Sequence, residues 1–155
     1  AERRWSQAYK HEILASRAGP TRALCEWLAA RPVRPQVLAS ASATGFYGNR
    51  GDEPLDEASA PGTGFLPQVC VSWERATLPA RDAGIRVVNL RTGVVLTPLG
   101  GALRKMLPAF RFGLGGPTGP GTQWMPWVSL QDLLGSVLHV LDTATLAVTS
   151  SWATS

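Results

Sequence analysis

One stretch, residues 36–51, constrains the fold of this chain more than any other. An apolar run, Val37-Leu38-Ala39, passes directly into Ser40-Ala41-Ser42-Ala43-Thr44-Gly45-Phe46-Tyr47-Gly48-Asn49-Arg50-Gly51. The apolar run reads as a short buried strand near 36–40 that follows a helical segment. Small hydroxyl residues and glycines immediately after such a strand let the backbone turn sharply at the carboxyl edge of a sheet. That edge is where open α/β proteins bind their ligands.

The elements around this strand fit the same architecture. Tyr9, Ile13, Leu14, Leu24, Trp27 and Leu28 recur at helical spacing and predict a helix over 5–30, with a kink or break at Gly19-Pro20. A Gly/Pro-punctuated loop spans 45–64, and a second helix is predicted over 66–83, irregular at Pro79 and ended by Gly84 as a left-handed cap. Ile85-Arg86-Val87-Val88-Asn89-Leu90 is the next strand. Gly100-Gly101 opens a helix to about residue 112, Trp124 to Val128 is extended, and Ser129 caps a last helix over 130–141, with Asp132 suited to its positive end. Strands alternating with helices predict βαβ units and a parallel sheet, although only two strands are clearly legible. Residues 143–155 are rich in Thr, Ser and Ala and read as a disordered or divergent tail to a domain at 1–142.

Composition excludes several classes. No run of 18 apolar residues occurs among the 155, so no membrane-spanning segment is expected. The start, Ala1-Glu2-Arg3-Arg4-Trp5, does not read as a signal peptide, and the absence of an initiator Met suggests a piece of something longer. A net charge of +4 invites a nucleic-acid reading, but the 15 Lys and Arg are scattered from Arg3 to Arg111 without a block, which argues against it. Cys25 and Cys70 stand in no metal-ligand or redox spacing and read as buried thiols in a reducing cytosol, hence a cytoplasmic protein. His11 and His139 are isolated, so no metal site is expected.

The segment Ser40-Ala41-Ser42-Ala43-Thr44-Gly45-Phe46-Tyr47-Gly48 resembles the post-strand segment of the short-chain dehydrogenase/reductase superfamily, in its atypical extended, sugar-nucleotide epimerase-like branch. Further stretches are similar in order: Arg4-Trp5 through Arg17 and Thr21, Asp52-Glu53-Pro54-Leu55, Gly64-Phe65-Leu66 and Val69-Cys70, Trp73-Glu74, Leu90 through Leu96 with Gly100-Gly101, and Gly113–Gly121 and Gln123-Trp124-Met125 with Trp127-Val128 and Asp132-Leu133. The likeness runs through about residues 3–142. It implies an α/β, Rossmann-like parallel sheet with flanking helices, truncated at the N-terminal nucleotide-binding half and the C-terminal lobe. It also implies NADP (or NAD) as cofactor, with a nucleotide-sugar or small carbonyl as substrate. No G-x-G-x-x-G follows a strand here. The Gly113–Gly121 loop is a poor substitute, because its prolines donate no amide to a phosphate.

The same resemblance sets expectations for the chemistry. The superfamily's acid/base is a Tyr with a Lys four residues on, whose charge lowers the Tyr pKa. Counting back from Glu74 puts Leu66 and Cys70 at those positions, so this dyad is not present. Ser42 matches the hydroxyl that bonds the substrate, and Tyr47 is a phenol able to reach the same crevice; both are the candidate catalytic residues. Arg17, Ser40, Val94 and Val95 are the candidate cofactor contacts. The reading is an NAD(P)-dependent oxidoreductase or epimerase, with a non-catalytic dinucleotide-binding sensor or scaffold, or an inactive fragment, as the alternative. The acids Asp52, Glu53, Asp56 and Glu57 read as a solvated loop face. A Ser42/His139/Asp132 hydrolase lacks the G-x-S-x-G elbow, since Ser40 stands at the first glycine.

Overall fold

The computed structural model describes residues 5–116, 121, 123–146 and 149–152. The chain runs α1 (Gln7–Ala29), β1 (Val37–Ala43), a single 3₁₀ turn (Thr44–Tyr47), α2 (Phe65–Arg75), α3 (Leu78–Asp82), β2 (Arg86–Thr92) and β3 (Val94–Leu96). It continues through α4 (Gly101–Arg111), β4 (Trp127–Ser129), α5 (Leu130–Asp142) and β5 (Thr149–Trp152). β1, β2 and β5 form a three-stranded sheet in that order, parallel throughout, and β3 and β4 form a separate parallel pair.

β2 is the central strand, with five consecutive buried residues from Val87 to Arg91. A strand covered on both faces reads as a continuous apolar run, which explains its β-branched content. On one face Val87 meets Cys25 of α1, Ala80 of α3 and Ile85, with Leu28 and Leu38 alongside. On the other, Val88 and Leu90 pack against Val140 of α5, with Ala39, Val137 and Leu146 around them. Helices therefore cover both faces, the Rossmann-like layering that the sequence implies.

Several local expectations are met and some are corrected. Ser129 caps α5 as expected, its hydroxyl accepting from the Asp132 amide (3.0 Å), and Ser6, not singled out in the sequence, caps α1 by accepting from the Tyr9 amide (3.2 Å). Gly84 takes φ +85°, the left-handed value that suits glycine after a helix. The break expected at Gly19-Pro20 does not occur: α1 is continuous from Gln7 to Ala29, Pro20 costing it a backbone donor without ending it. The helix expected over 66–83 divides in two, and Pro79 sits in the first turn of the second piece, where a missing amide is harmless. β3, β4 and β5 add to the two strands legible in the sequence; β5 lies within the stretch read as a tail and pairs with Asn89–Thr92 of β2.

The order of elements carries the site. β1 and β2 are in register, Ser42 opposite Arg91 and Ala43 opposite Thr92, so their carboxyl ends lie side by side. A single residue, Gly93, then joins β2 to β3. A side chain there would meet the backbone of Pro126 at 2.6 Å, so the close approach of the two segments requires glycine.

Candidate active site

At the carboxyl end of β1, side chains from four elements converge on one buried charge pair. Ser42 leaves β1 on the face covered by α2, and Glu74 rises from α2 to meet it; Ser42 Oγ donates to Glu74 Oε1 at 2.7 Å. Arg91 of β2 grips the same carboxylate through both edges, Nε to Oε1 at 2.8 Å and a terminal nitrogen to Oε2 at 2.9 Å. Its other terminal nitrogen donates to the Tyr47 hydroxyl oxygen at 3.1 Å and to the Glu57 carbonyl at 3.4 Å. The guanidinium carbon lies over the Phe46 ring, 3.3 Å from its centroid. Burial works against the Arg91 charge, but its bonds to Glu74 and Tyr47 outweigh this and hold its pKa above the usual arginine value.

Arg91, Tyr47 and Ser42 are all nearly inaccessible, at 4%, 5% and 3% exposure. Sequence reasoning brought Ser42 and Tyr47 to the same place but did not pair Arg91 with Glu74. The available signal was chemical: an arginine inside a buried strand must find an anion, and the nearest acid on the covering helix is Glu74.

The remaining candidates spread out. Arg17 bonds the Ile13 carbonyl one helical turn back (3.0 Å) and sits over the Trp73 ring, 5.7 Å from its centroid. Ser40 is half-buried on β1 and in register with Asn89. Val94 and Val95 lie on β3, past the joint at Gly93, with the Val94 amide donating to the Pro126 carbonyl at 2.8 Å. The structure thus joins Ser42 with Tyr47 and leaves Arg17, Ser40, Val94 and Val95 as separate contributors.

The positions of the missing dyad are well defined. Leu66 and Cys70 sit one turn apart on α2, and both face Gly45 of the 3₁₀ turn: a β-carbon there would lie 3.6 Å from Leu66 Cβ and 3.8 Å from Cys70 Sγ. Burial is the main cause that pushes the Cys70 thiol pKa up, and the Glu74 carboxylate adds to it. Cys70 is thus a neutral, inert thiol at neutral pH.

Beyond Tyr47 opens a cavity of about 890 Å³. Its inner wall is Thr44 and Tyr47, one side is the 48–57 loop, and the other is Gln123 to Pro126. Trp124 bridges the two sides, its indole nitrogen donating to Asp52 Oδ1 at 2.7 Å. Among the described residues no group of His, Cys, Asp and Glu is arranged to hold a metal ion, and no helix is long and apolar enough to cross a membrane. Residues 117–120 of the Gly113–Gly121 loop lie outside the described residues.

The sequence profile of the NAD dependent epimerase/dehydratase family matches residues 1–149. The chain belongs to that family. It is 52% identical over 132 residues to an epimerase family protein of Mycobacterium tuberculosis, covering 85% of this chain and 43% of that protein. It is 38% identical over 143 residues to the epimerase family protein SDR39U1 of Bos taurus, covering 92% and 48%. The solved structure of human SDR39U1 (isoform 2) with NADPH superposes with a TM-score of 0.91 at 32% identity, over 97% of this chain and 51% of that one. A Corynebacterium glutamicum nucleoside-diphosphate sugar epimerase superposes at 0.87 with 38% identity, over 99% and 33%. The epimerase/dehydratase fold of this chain therefore spans about half or less of the length of these relatives.

Proposed function

We propose that this chain supplies the substrate side of an NAD(P)-dependent oxidoreductase or epimerase acting on a small carbonyl or nucleotide-sugar substrate. The observation that carries the reading is the cavity just past the carboxyl end of β1, with Tyr47 in its lining held by the buried Arg91–Glu74 pair. An α/β protein of this family binds its reactants at that edge.

The residues present fit part of the cofactor. Val94 and Val95 offer an apolar ridge just past the end of β2, Val94 being 38% exposed, and such a surface suits a flat nicotinamide ring. A pyrophosphate needs a glycine-rich turn at a helix N-terminus, and no described strand leads into G-x-G-x-x-G. When bound, the dinucleotide would give or take hydride; the contribution of this chain is orientation and exclusion of water. Tyr47 faces the substrate. Ser42 acts as a positioning residue, its hydroxyl helping to fix Glu74, which fixes Arg91, which fixes the Tyr47 phenol. Preorganised dipoles of this kind act on charge that develops in the transition state.

The test is NADPH oxidation, followed at 340 nm in a family-length protein containing this chain, against a panel of carbonyls and sugar nucleotides. Turnover with at least one substrate is expected, and Tyr47→Phe should lower kcat by roughly 10²–10³ with NADPH affinity unchanged. A second reading, a dinucleotide-binding protein without turnover, is favoured by one observation: Leu66 and Cys70 occupy the dyad face beside Gly45, and neither is an acid or base of suitable strength. Saturable NADPH binding with no turnover across the panel would select it.

A further inference from the structure

Trp124 differs from the other tryptophans in what its ring does. Trp5 packs edge-on against Phe65, Trp27 lies beneath Arg31, and Trp73 carries Arg17 over its ring. The Trp124 ring has no aromatic or cationic partner among the described residues, yet it lines the cavity at 65% exposure. The fold leaves this large flat apolar surface unused.

Its nitrogen, by contrast, is fixed. Nε1 donates to Asp52 Oδ1 at 2.7 Å, a charge-assisted bond. Both ends of that bond rest on braced backbone. Beside Asp52, the Asn49 side-chain oxygen accepts from the Gly51 amide (3.2 Å), and Arg50 bonds the Ala60 carbonyl (3.3 Å) and both oxygens of Glu53 (2.8 and 2.7 Å). Beside Trp124, the Pro126 carbonyl accepts from the Val94 amide (2.8 Å). The indole is thus held by its edge, with its two side-chain torsions set and its faces open. A rigid aromatic ordered in advance binds a ligand at low entropic cost. The cavity, about 890 Å³, is near the upper end of the range for small-molecule sites, and Tyr47 shares its lining.

We propose that Trp124 is a substrate-contacting residue on which a planar ring of the substrate stacks, with Asp52 as the residue that positions it. This rests on the reading above that the cavity receives the substrate. It favours a substrate with a heteroaromatic ring distant from its reacting group, as a nucleoside-diphosphate sugar has, over a small carbonyl.

A family-length protein containing this chain, isotopically labelled at its tryptophan nitrogens, tests the anchoring without a ligand. The Trp124 indole signal, assigned by its loss in Trp124→Phe, should exchange its N–H about tenfold or more slowly than free indole. Asp52→Ala should abolish that protection, and Asp52→Asn, which keeps an acceptor oxygen, should retain part of it. Exchange at the free rate in the parent protein overturns the proposal.

Calorimetry on the same protein then compares UDP-glucose and ADP-glucose with NADPH. For a nucleotide sugar that binds, Trp124→Ala should raise Kd roughly 5- to 150-fold, the share of one stacked base. Asp52→Ala should raise it about threefold or more, with Asp52→Asn near the parent. Trp124→Phe keeps a flat ring without the N–H and should lose no more than Asp52→Ala. NADPH affinity should be the same in every variant, which also reports an intact fold. The proposal is overturned by an unchanged Kd in Trp124→Ala, by Trp124→Phe as damaging as Trp124→Ala, by a loss of NADPH in place of the nucleotide sugar, or by no binding of either sugar to the parent. Binding that follows the expected pattern without turnover strikes the oxidoreductase reading alone.

Discussion

Removing Glu74 is the most demanding test of the buried pair. In Glu74→Ala the Arg91 guanidinium, 4% exposed in the native chain, loses two charge-assisted bonds of 2.8 and 2.9 Å. Ser42 loses the acceptor of its 2.7 Å bond as well. Breaking a buried ion pair by deleting one partner typically costs about 3–5 kcal/mol, because the other charge stays desolvated. In a domain of this size each kcal/mol lowers Tm by roughly 2–4 °C, so the midpoint should fall by roughly 6–20 °C. Thermal unfolding followed by circular dichroism, supported by urea titration, reads this directly. The double replacement Glu74→Leu/Arg91→Met removes both charges and should recover a large part of the loss, since apolar isosteres of a buried pair are often neutral or better. If Glu74→Ala costs less than about 1 kcal/mol, or the double variant is no more stable than the single one, the network does not hold the strand ends as argued.

Three further outcomes follow from the same geometry. Ser42→Ala should cost about 1–2 kcal/mol in urea unfolding, since one hydrogen bond to a charged acceptor is lost and no charge is stranded. The raised Cys70 thiol pKa means that its share of stability is complete below the unfolded value near 9.0 and drains away as pH rises through the higher folded value. Cys70→Ala should therefore flatten the alkaline limb of a stability-against-pH curve, and an identical limb in both proteins would contradict the burial of that thiol. Gly62→Ala should destabilise strongly, because the added methyl would collide with the Tyr47 carbonyl where the Gly62 amide bonds Phe46 (3.0 Å); a Tm within 2 °C of the parent chain, by the scaling of roughly 2–4 °C per kcal/mol, would count against it.

Much of the scaffold was legible in the sequence because it follows local rules. The Ser129 cap, the left-handed Gly84, the β-branched run of β2 and the turn after β1 each depend on a few adjacent residues. The pairing of three short strands was not legible, although Trp124 to Val128 reads as extended. β3 and β4 are three residues each and β5 is four, so none is long enough to show a period, and each exists because of the strand it pairs with. The unbroken passage of α1 through Pro20 is likewise a tertiary result, since α2 and α3 pack along that helix. At the site, Ser42 and Tyr47 were found by position after a strand, whereas the Arg91–Glu74 pair joins residues 17 apart and the Trp124–Asp52 bond joins residues 72 apart. No spacing rule reaches that far; only the unfavourable cost of a lone buried charge pointed to a partner for Arg91.

The two walls of the cavity differ in how they are fastened, and this bears on redesign. The 48–57 loop hangs between the 3₁₀ turn and α2 and contributes no residue to either sheet, so apart from the Glu57 carbonyl that receives Arg91 and the Asp52 carboxylate that receives Trp124 it is open to replacement as a cassette. The wall from Gln123 to Pro126 is welded in place: Pro126 holds the Val94 amide, Gly93 leaves no room beside it, and Arg91 lies only two residues further back. An engineer seeking a new specificity would graft onto the first wall and leave the second untouched, since a change there would propagate through a rigid joint into the buried centre of the fold.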